Sequence, residues 1–170
     1  MQIDQRAVNL FYLKDEKTVS AIYSTYFGLL KHICFGYVHD ISEAEDCAQE
    51  AFLRIYDSHA SKVKPDVFLA YLCKAAKNLC LDCLKKNKEE PLEEELTGTK
   101  DDFHYQDELL ERLKQILSPE EFDALVMHVC LGLKFDEIGV ALSVTPSAAR
   151  GLAFRGKEKA KKALKKEEWL

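Results

Sequence analysis

Apolar residues along this chain recur at intervals of three and four rather than two, and the stretch DVFLAYLCKAAKNLCLDCLKKN, from Asp66 to Asn87, shows this most clearly. On a period of about 3.6 residues, Phe68, Leu69, Leu72, Ala76, Leu79, Cys80 and Cys83 gather on one side, which predicts a core-facing helix. Tyr71, Lys74, Asn78, Asp82 and Lys85 fall on the other side. An aromatic ring, an amide and two ammonium groups in one band suit stacking on a base, hydrogen bonding to its edge and neutralising phosphates. The same band also reads as an ordinary solvated face, because mixed charge is the norm on exposed helix.

The rest of the chain follows the same period. From about Val19 to Val38, Ile22, Tyr26, Leu29, Leu30, Ile33 and Tyr37 predict a helix that His39 and Asp40 end. Ser42 then opens S-E-A-E, a predicted capping box in which the Ser42 hydroxyl and the Glu45 carboxylate each satisfy a free amide at a helix start. The helix it opens runs to about Asp57 and turns Ala44, Cys47, Ala48, Ala51, Phe52 and Ile55 inward. Asp46, Gln49, Glu50 and Leu53 are left outside as an acidic ridge around one apolar knob. A solvated surface accounts for the charges but not for Leu53, whereas a docking site for a basic partner helix accounts for both.

Ser58 to Lys64 is a short polar connection, and Pro65 suits the first turn of the helix described above. Three helices joined by short loops predict a bundle over residues 1–87. Residues 88–106 lose the period and contain KEEPLEEELTGTKDD, whose mutually repelling acids predict a flexible linker. Helical spacing returns at Asp107 to Leu117, and Ser118-Pro119-Glu120-Glu121 supplies an N-cap, a first-turn proline and acids for the next helix. Phe122, Leu125, Val126, Val129, Cys130 and Leu133 continue it, with Gly132 as a natural C-cap. A short helix at Asp136 to Leu142, a turn at Ser143 and Val144, and a longer helix capped by Thr145 and opened by Pro146 give a helix-turn-helix outline within residues 107–170. The expected fold is all-α: an N-terminal helical bundle and a C-terminal helix-turn-helix domain joined by a flexible acidic linker. Helical hairpins with this spacing also occur in proteins that never meet DNA, but here the last helix ends in RGKEKAKKALKK, which adds phosphate-binding potential.

Charge refines this outline. The formal net charge of −5 argues against indiscriminate coating of nucleic acid. Residues 1–87 hold eleven basic and eleven acidic groups, and residues 107–170 hold the same, so the acidity sits between them, where two lysines face seven acids. Within Arg150 to Lys166 eight basic residues accompany the single Glu158, a positive arm inside a balanced total. No run of about 18 apolar residues exists, and charge interrupts the N-terminal MQIDQRAVNLFYLKDE, which predicts a cytoplasmic protein with no direct membrane insertion and no secretory signal.

The six cysteines mostly fall within apolar patterns and are expected to be small buried side chains. Cys80 and Cys83 form a CxxC, but a zinc site wants two further ligands at comparable spacing, and only scattered histidines such as His104 and His128 offer themselves. No carboxylate pair, nucleophile with a base, or phosphate-binding glycine loop stands in suitable context, so no enzyme activity, catalytic residue, cofactor or metal is expected.

Taken together, these segments resemble the small extracytoplasmic-function (ECF, group IV) sigma factors, two-domain initiation subunits of bacterial RNA polymerase, and the resemblance covers nearly the whole chain. EAEDCAQEAFLRIY, Glu43 to Tyr56, is similar to the family's polymerase-clamp motif. AYLCKAAKNLCLDCLKK, Ala70 to Lys86, is similar to its segment that reads the promoter element nearest the start site. LSPEEFDALVMHVCLGLKFDEIGVALSVTPSAARGLAFRGKEKAKKAL resembles the family's C-terminal domain, whose helix-turn-helix reads the upstream element.

The resemblance implies that Asp46, Gln49, Glu50 and Leu53 grip a helical hairpin of the RNA polymerase core. It implies that Tyr71, Lys74, Lys77, Asn78 and Lys85 meet the strand exposed as promoter DNA opens, with Tyr71 where the family often has tryptophan. A base captured from the melted strand would stabilise the open state by about 1–3 kcal/mol, without ATP hydrolysis. Arg150, Arg155 and Lys157 remain for upstream DNA, with Ser147 and Phe154 outward by period. A family member is commonly held inactive by an anti-sigma factor, often membrane-bound, on these same surfaces.

Several positions depart from the family pattern. Lys134 stands where a serine cap is usual, Ser143 replaces the turn glycine, and Leu152 replaces a commonly basic residue. Lys85 and Lys86 replace arginines, keeping charge but losing bidentate geometry. Gly151 and Gly156 would each cost the last helix about 0.5–1 kcal/mol relative to alanine. These departures imply an unusual upstream preference or weak dependence on that element. They also leave a second reading, a polymerase-binding regulatory protein of sigma-like fold whose promoter recognition is lost or altered.

Overall fold

The computed structural model describes residues 3–58, 65–89 and 105–165, and every element among them is an α-helix. The chain divides into two units, Met1–Glu89 and Glu90–Leu170. Residues 59–64 and 90–104, which hold most of the polar connection and of the stretch expected to be a linker, lie outside the described residues.

The N-terminal unit contains α1 (Gln5–Tyr12), α2 (Glu16–Val38), α3 (Ile41–Asp57) and α4 (Pro65–Glu89). The helix α1 was not expected from the sequence. It is capped by the Asp4 side chain, which accepts from the Ala7 amide at 2.8 Å, and it buries Val8 and Phe11 completely. Phe11 packs edge-on against Phe68 of α4 at 5.0 Å and against Tyr56 of α3 at 5.8 Å. Each fully buried ring of this kind contributes about 1.5–3 kcal/mol, so α1 closes one end of the bundle that α2, α3 and α4 build around Ile22, Ile33, Phe68 and Leu72.

The expected capping box at Ser42 is not formed. The helix α3 starts one residue earlier, at Ile41, and Asp40 is its N-cap, accepting from the Glu43 amide at 2.8 Å. Asp40 both ends the preceding turn and caps, because α2 stops on His39 in the left-handed conformation, φ 57, and leaves Asp40 extended with its carboxylate over the free amides.

The C-terminal unit contains α5 (Tyr105–Ile116), α6 (Pro119–Val129), α7 (Phe135–Leu142) and α8 (Pro146–Lys165). Ser118 is the expected N-cap, and with Glu121 it forms a reciprocal capping box at 3.2 Å each way. The end of α6 differs from expectation. The helix stops at Val129 and caps on Cys130, so Val129 is 66% exposed, Cys130 is also exposed, and Gly132 lies two residues past the cap with φ 69. Leu133 regains the core because its amide reaches back to the Met127 carbonyl at 2.9 Å.

The turn between α7 and α8 is tight. A Cβ on Gly139 would lie 2.8 Å from the Val144 carbonyl oxygen, so only glycine lets the chain fold back there. Ser143 closes α7 in the left-handed region at φ 58, a conformation that costs a residue with a Cβ roughly 1 kcal/mol. Ser143→Gly is therefore expected to raise the thermal midpoint of the C-terminal unit by a few degrees, as read by calorimetry on the full chain. At the other end of α7 only half of a capping box exists: the Glu137 carboxylate accepts from the Lys134 amide, and Lys134 offers no side-chain cap in return.

Candidate functional site

Two faces of the N-terminal unit carry the candidate residues. Asp46, Gln49 and Glu50 stand exposed along α3, and Leu53 follows them at 54% exposure. Their spacing of three and four places all four on one stripe, opposite Ala44, Ala48 and Ala51, which are wholly buried. Glu50 is also paired along the helix with Arg54, Oε1 to Nε 2.9 Å, in an exposed i,i+4 bridge of small energetic weight. Beside Leu53 the helices α1, α2 and α3 leave an apolar groove of about 370 Å³ floored by Phe52, Tyr23 and Tyr56.

The outer face of α4 holds Tyr71, 45% exposed, with Asn78 and Lys85 also exposed and Lys74 half-buried. At about 100° per residue, these four fall within one narrow arc of the helix, opposite Leu72, Ala76 and Cys80, which are buried. Lys77 stands about 100° away from Tyr71's neighbour Asn78 and is half-buried, so the structure brings four of the five α4 candidates together and sets Lys77 to the flank. Leu81, 37% exposed, lies on the same side and was missed. Its position in the helical period was legible, but an apolar residue there reads as core until the packing is known. A second groove of about 480 Å³ separates the two faces, with Asp46 and Glu50 on one bank and Asp82 and Lys85 on the other.

The cysteines beneath this surface are structural. Cys34, Cys47, Cys73 and Cys80 are buried, and the Cys80 thiol donates to the Cys34 carbonyl at 3.8 Å. Burial, with the Cys80 thiol next in weight, pushes Cys47 up to about 12, so it stays a neutral thiol at physiological pH. Cys83 is half-buried and Cys130 exposed, so the expectation of small buried side chains holds for the other four. Among the described residues no group of three or more His, Cys, Asp or Glu side chains is arranged to hold a metal ion.

In the C-terminal unit, Thr145 caps α8 by accepting from the Ala148 amide at 3.2 Å. Ala149, Ala153, Gly156 and Ala160 form the buried stripe of α8. Ser147, Arg150, Arg155 and Lys157 are exposed, and Phe154 is exposed at 64%. Gly156 is required by packing: a Cβ there would stand 2.9 Å from the Glu121 carbonyl oxygen of α6. Its expected helix penalty is thus the condition for α6 and α8 to touch. Gly151 has no such neighbour; an added Cβ would meet only the flexible tip of Arg155 at 3.3 Å.

Glu121 ties the same two helices electrostatically. Its carboxylate, 7% exposed, takes Lys159 Nζ at 2.6 Å and Arg155 Nε at 3.5 Å, while the Ser118 amide donates to it as well. Burial alone would push this carboxyl up, but the hydrogen bonds and fields of Lys159, Ser118 and Arg155 together hold it below its ordinary value of 4.5. A carboxyl depressed on folding stabilises above its unfolded value, and that contribution disappears as pH falls through the folded one. Denaturant melts of the full chain are accordingly expected to lose C-terminal stability below about pH 4.5, and Glu121→Gln should be less stable at neutral pH and lack that acid dependence.

Both units match known protein families. Residues 22–90 match the family model for Sigma-70 region 2, and residues 107–159 match that for Sigma-70, region 4. The RNA polymerase sigma-H factor of Pseudomonas aeruginosa is 24% identical across 95% of this chain and 93% of its own length. The RNA polymerase sigma factor CarQ of Myxococcus xanthus is 30% identical across 71% of this chain and 74% of its own. Among solved structures, a chain in that of CnrH in complex with the cytosolic domain of CnrY superposes with a TM-score of 0.61 at 16% identity, covering 96% of this chain and 97% of that chain. The region 2 match holds both candidate faces of α3 and α4, and the region 4 match ends within α8, at Lys159.

Proposed function

This chain belongs to the sigma-70 family as a sigma factor of the extracytoplasmic-function type that directs RNA polymerase to promoters, and on that premise we propose how its surfaces divide the work. Asp46, Gln49, Glu50 and Leu53 bind the RNA polymerase core. Tyr71, Lys74, Asn78 and Lys85, flanked by Lys77, hold the strand exposed as promoter DNA opens. Ser147, Arg150, Phe154, Arg155 and Lys157 face the upstream element. Strand opening then draws on base capture and phosphate contacts rather than on any hydrolytic step, and the bond-forming chemistry belongs to polymerase. The protein acts in the cytoplasm with polymerase, and an anti-sigma factor covering the α3 and α4 faces is the partner that would silence it; among the described residues no helix is long and apolar enough to cross a membrane.

One observation supports this division above the rest: α3 and α4 expose chemically different faces that a groove keeps apart. The α3 stripe is acidic around a single leucine and has no ring to offer a base. The α4 arc carries a ring, an amide and cations, and it suits a flipped base and its phosphates. The basic residues of α8 are not all equally available, since Arg155 is drawn toward Glu121, so Arg150 and Lys157 are the freer phosphate or base contacts.

The test separates binding from opening. In Tyr71→Ala and Asn78→Ala, open complexes counted by permanganate reactivity of unpaired thymines should fall about tenfold, the loss of one stacked or hydrogen-bonded base. Affinity for core polymerase, measured by competition, should not change. Equal losses in both measurements would contradict the division.

A further inference from the structure

The first turns of α8 present Arg150, and the structure gives its side chain a platform in place of an acid. The guanidinium carbon lies 5.3 Å from the centre of the Phe135 ring. That ring stacks on His128, with 4.5 Å between centroids and 28° between planes. His128 is itself tethered, its Nδ1 3.0 Å from the Leu133 carbonyl oxygen. The end of α6, the first residue of α7 and the start of α8 thus meet in one stack.

Other cations of α8 are held differently. Arg155 and Lys159 pair with Glu121, and Lys161 pairs with Glu158. A carboxylate occupies N–H donors, whereas a ring face occupies none: guanidinium donors lie in its plane and stay open at its edge. A planar fork held over a ring face, with no carboxylate among the described residues paired to its donors, suits a bidentate contact with O6 and N7 of guanine in a major groove.

We infer that Phe135, backed by His128, is a positioning residue that aims Arg150 at a guanine edge and so gives the upstream promoter element a guanine requirement at the base pair facing the start of α8. The inference rests on the proposal that α8 enters the major groove, and it adds which side chain sets the aim and which base is chosen.

The test uses holoenzyme reconstituted from core polymerase and the full chain, on a promoter selected by that holoenzyme. Each guanine of the upstream motif is replaced in turn by 7-deazaguanine, which lacks the N7 acceptor. At one position the wild-type holoenzyme should bind about fivefold or more weakly. Arg150→Ala and Phe135→Leu should each show that loss on the ordinary promoter and no further loss on the modified one. Phe135→Tyr, which restores a ring face, should behave as wild type.

If Phe135→Leu remains as sensitive to 7-deazaguanine as wild type, or weakens all promoters alike, Phe135 only fills the core and the inference is overturned. A motif with no sensitive guanine overturns it too, and in both cases the placement of α8 in the groove survives. Promoters that share no upstream motif would instead overturn the α8 placement and the inference together.

Discussion

Reversing both charges, Asp46→Lys with Glu50→Lys, is expected to weaken binding to the RNA polymerase core by on the order of 100-fold or more, because like charges set against a complementary interface cost several kcal/mol. Both residues are exposed on α3, so the fold has no stake in their sign beyond one helix-surface pair. Glu50 loses its 2.9 Å bridge to Arg54, and the new lysine meets Arg54 at i,i+4, which together cost only a few tenths of a kcal/mol to about 1 kcal/mol. The thermal midpoint should therefore barely move while the affinity collapses. Salt sharpens the test. An electrostatic contribution at an exposed interface shrinks as ionic strength rises, so the gap between wild type and variant should narrow in high salt. A variant that keeps wild-type affinity would remove the α3 ridge from the interface, and one that loses its fold would mean these side chains hold the bundle together.

The second large effect is structural. Gly156→Val should unseat α8 from α6 and destabilise the C-terminal unit by about 1–3 kcal/mol or more, the ordinary cost of forcing extra methyls into a packed contact. The first added carbon already stands 2.9 Å from the Glu121 backbone carbonyl and 3.5 Å from Leu125 Cβ, and the backbone cannot yield as a side-chain tip would. The same carbonyl belongs to the residue whose carboxylate holds Lys159 and Arg155, so moving α8 away disturbs the ion pair as well. Gly151→Ala is the matched control. Its added carbon meets only the Arg155 guanidinium, and the gain in helix propensity should stabilise by about 0.5–1 kcal/mol. Two glycines five residues apart on one helix thus predict opposite signs. Separate unfolding transitions for the two units, followed by calorimetry and by hydrogen exchange in α8, decide it, and a stabilised Gly156→Val would contradict the packing.

Much of this was legible in the sequence, and the exceptions have physical reasons. Long amphipathic helices such as α2, α3 and α4 announce themselves, because burying one stripe imposes a strict period on many residues. The short helix α1 has only two fully buried residues, Val8 and Phe11, too few to establish a period. The S-E-A-E pattern points to Ser42 as the cap of α3, and Asp40 holds that place instead because α2 ends in a left-handed turn at His39 that no local pattern displays. The end of α6 was overrun because Val129 and Cys130 continue the apolar spacing after the helix has stopped supporting it.

The candidate faces followed the same logic. Outward residues of α3 and α4, and the offset of Lys77 from the α4 arc, could be placed by angle alone, but the membership of Leu81 needed the observed burial. Gly156 showed the limit most plainly. Within one helix a glycine is only a weakness, and its reason lies across the contact in α6. The stack of His128, Phe135 and Arg150 was likewise out of reach, since it joins three helices whose spacing along the chain carries no common period.

The measurement that tests the central claim most directly mixes the purified chain with bacterial core polymerase and a pool of random promoter fragments, then sequences the transcripts that start. Transcripts are expected whose templates share two upstream motifs, one near the start site for α4 and one further upstream for α8. A chain that binds polymerase yet initiates nothing above core alone would contradict the claim.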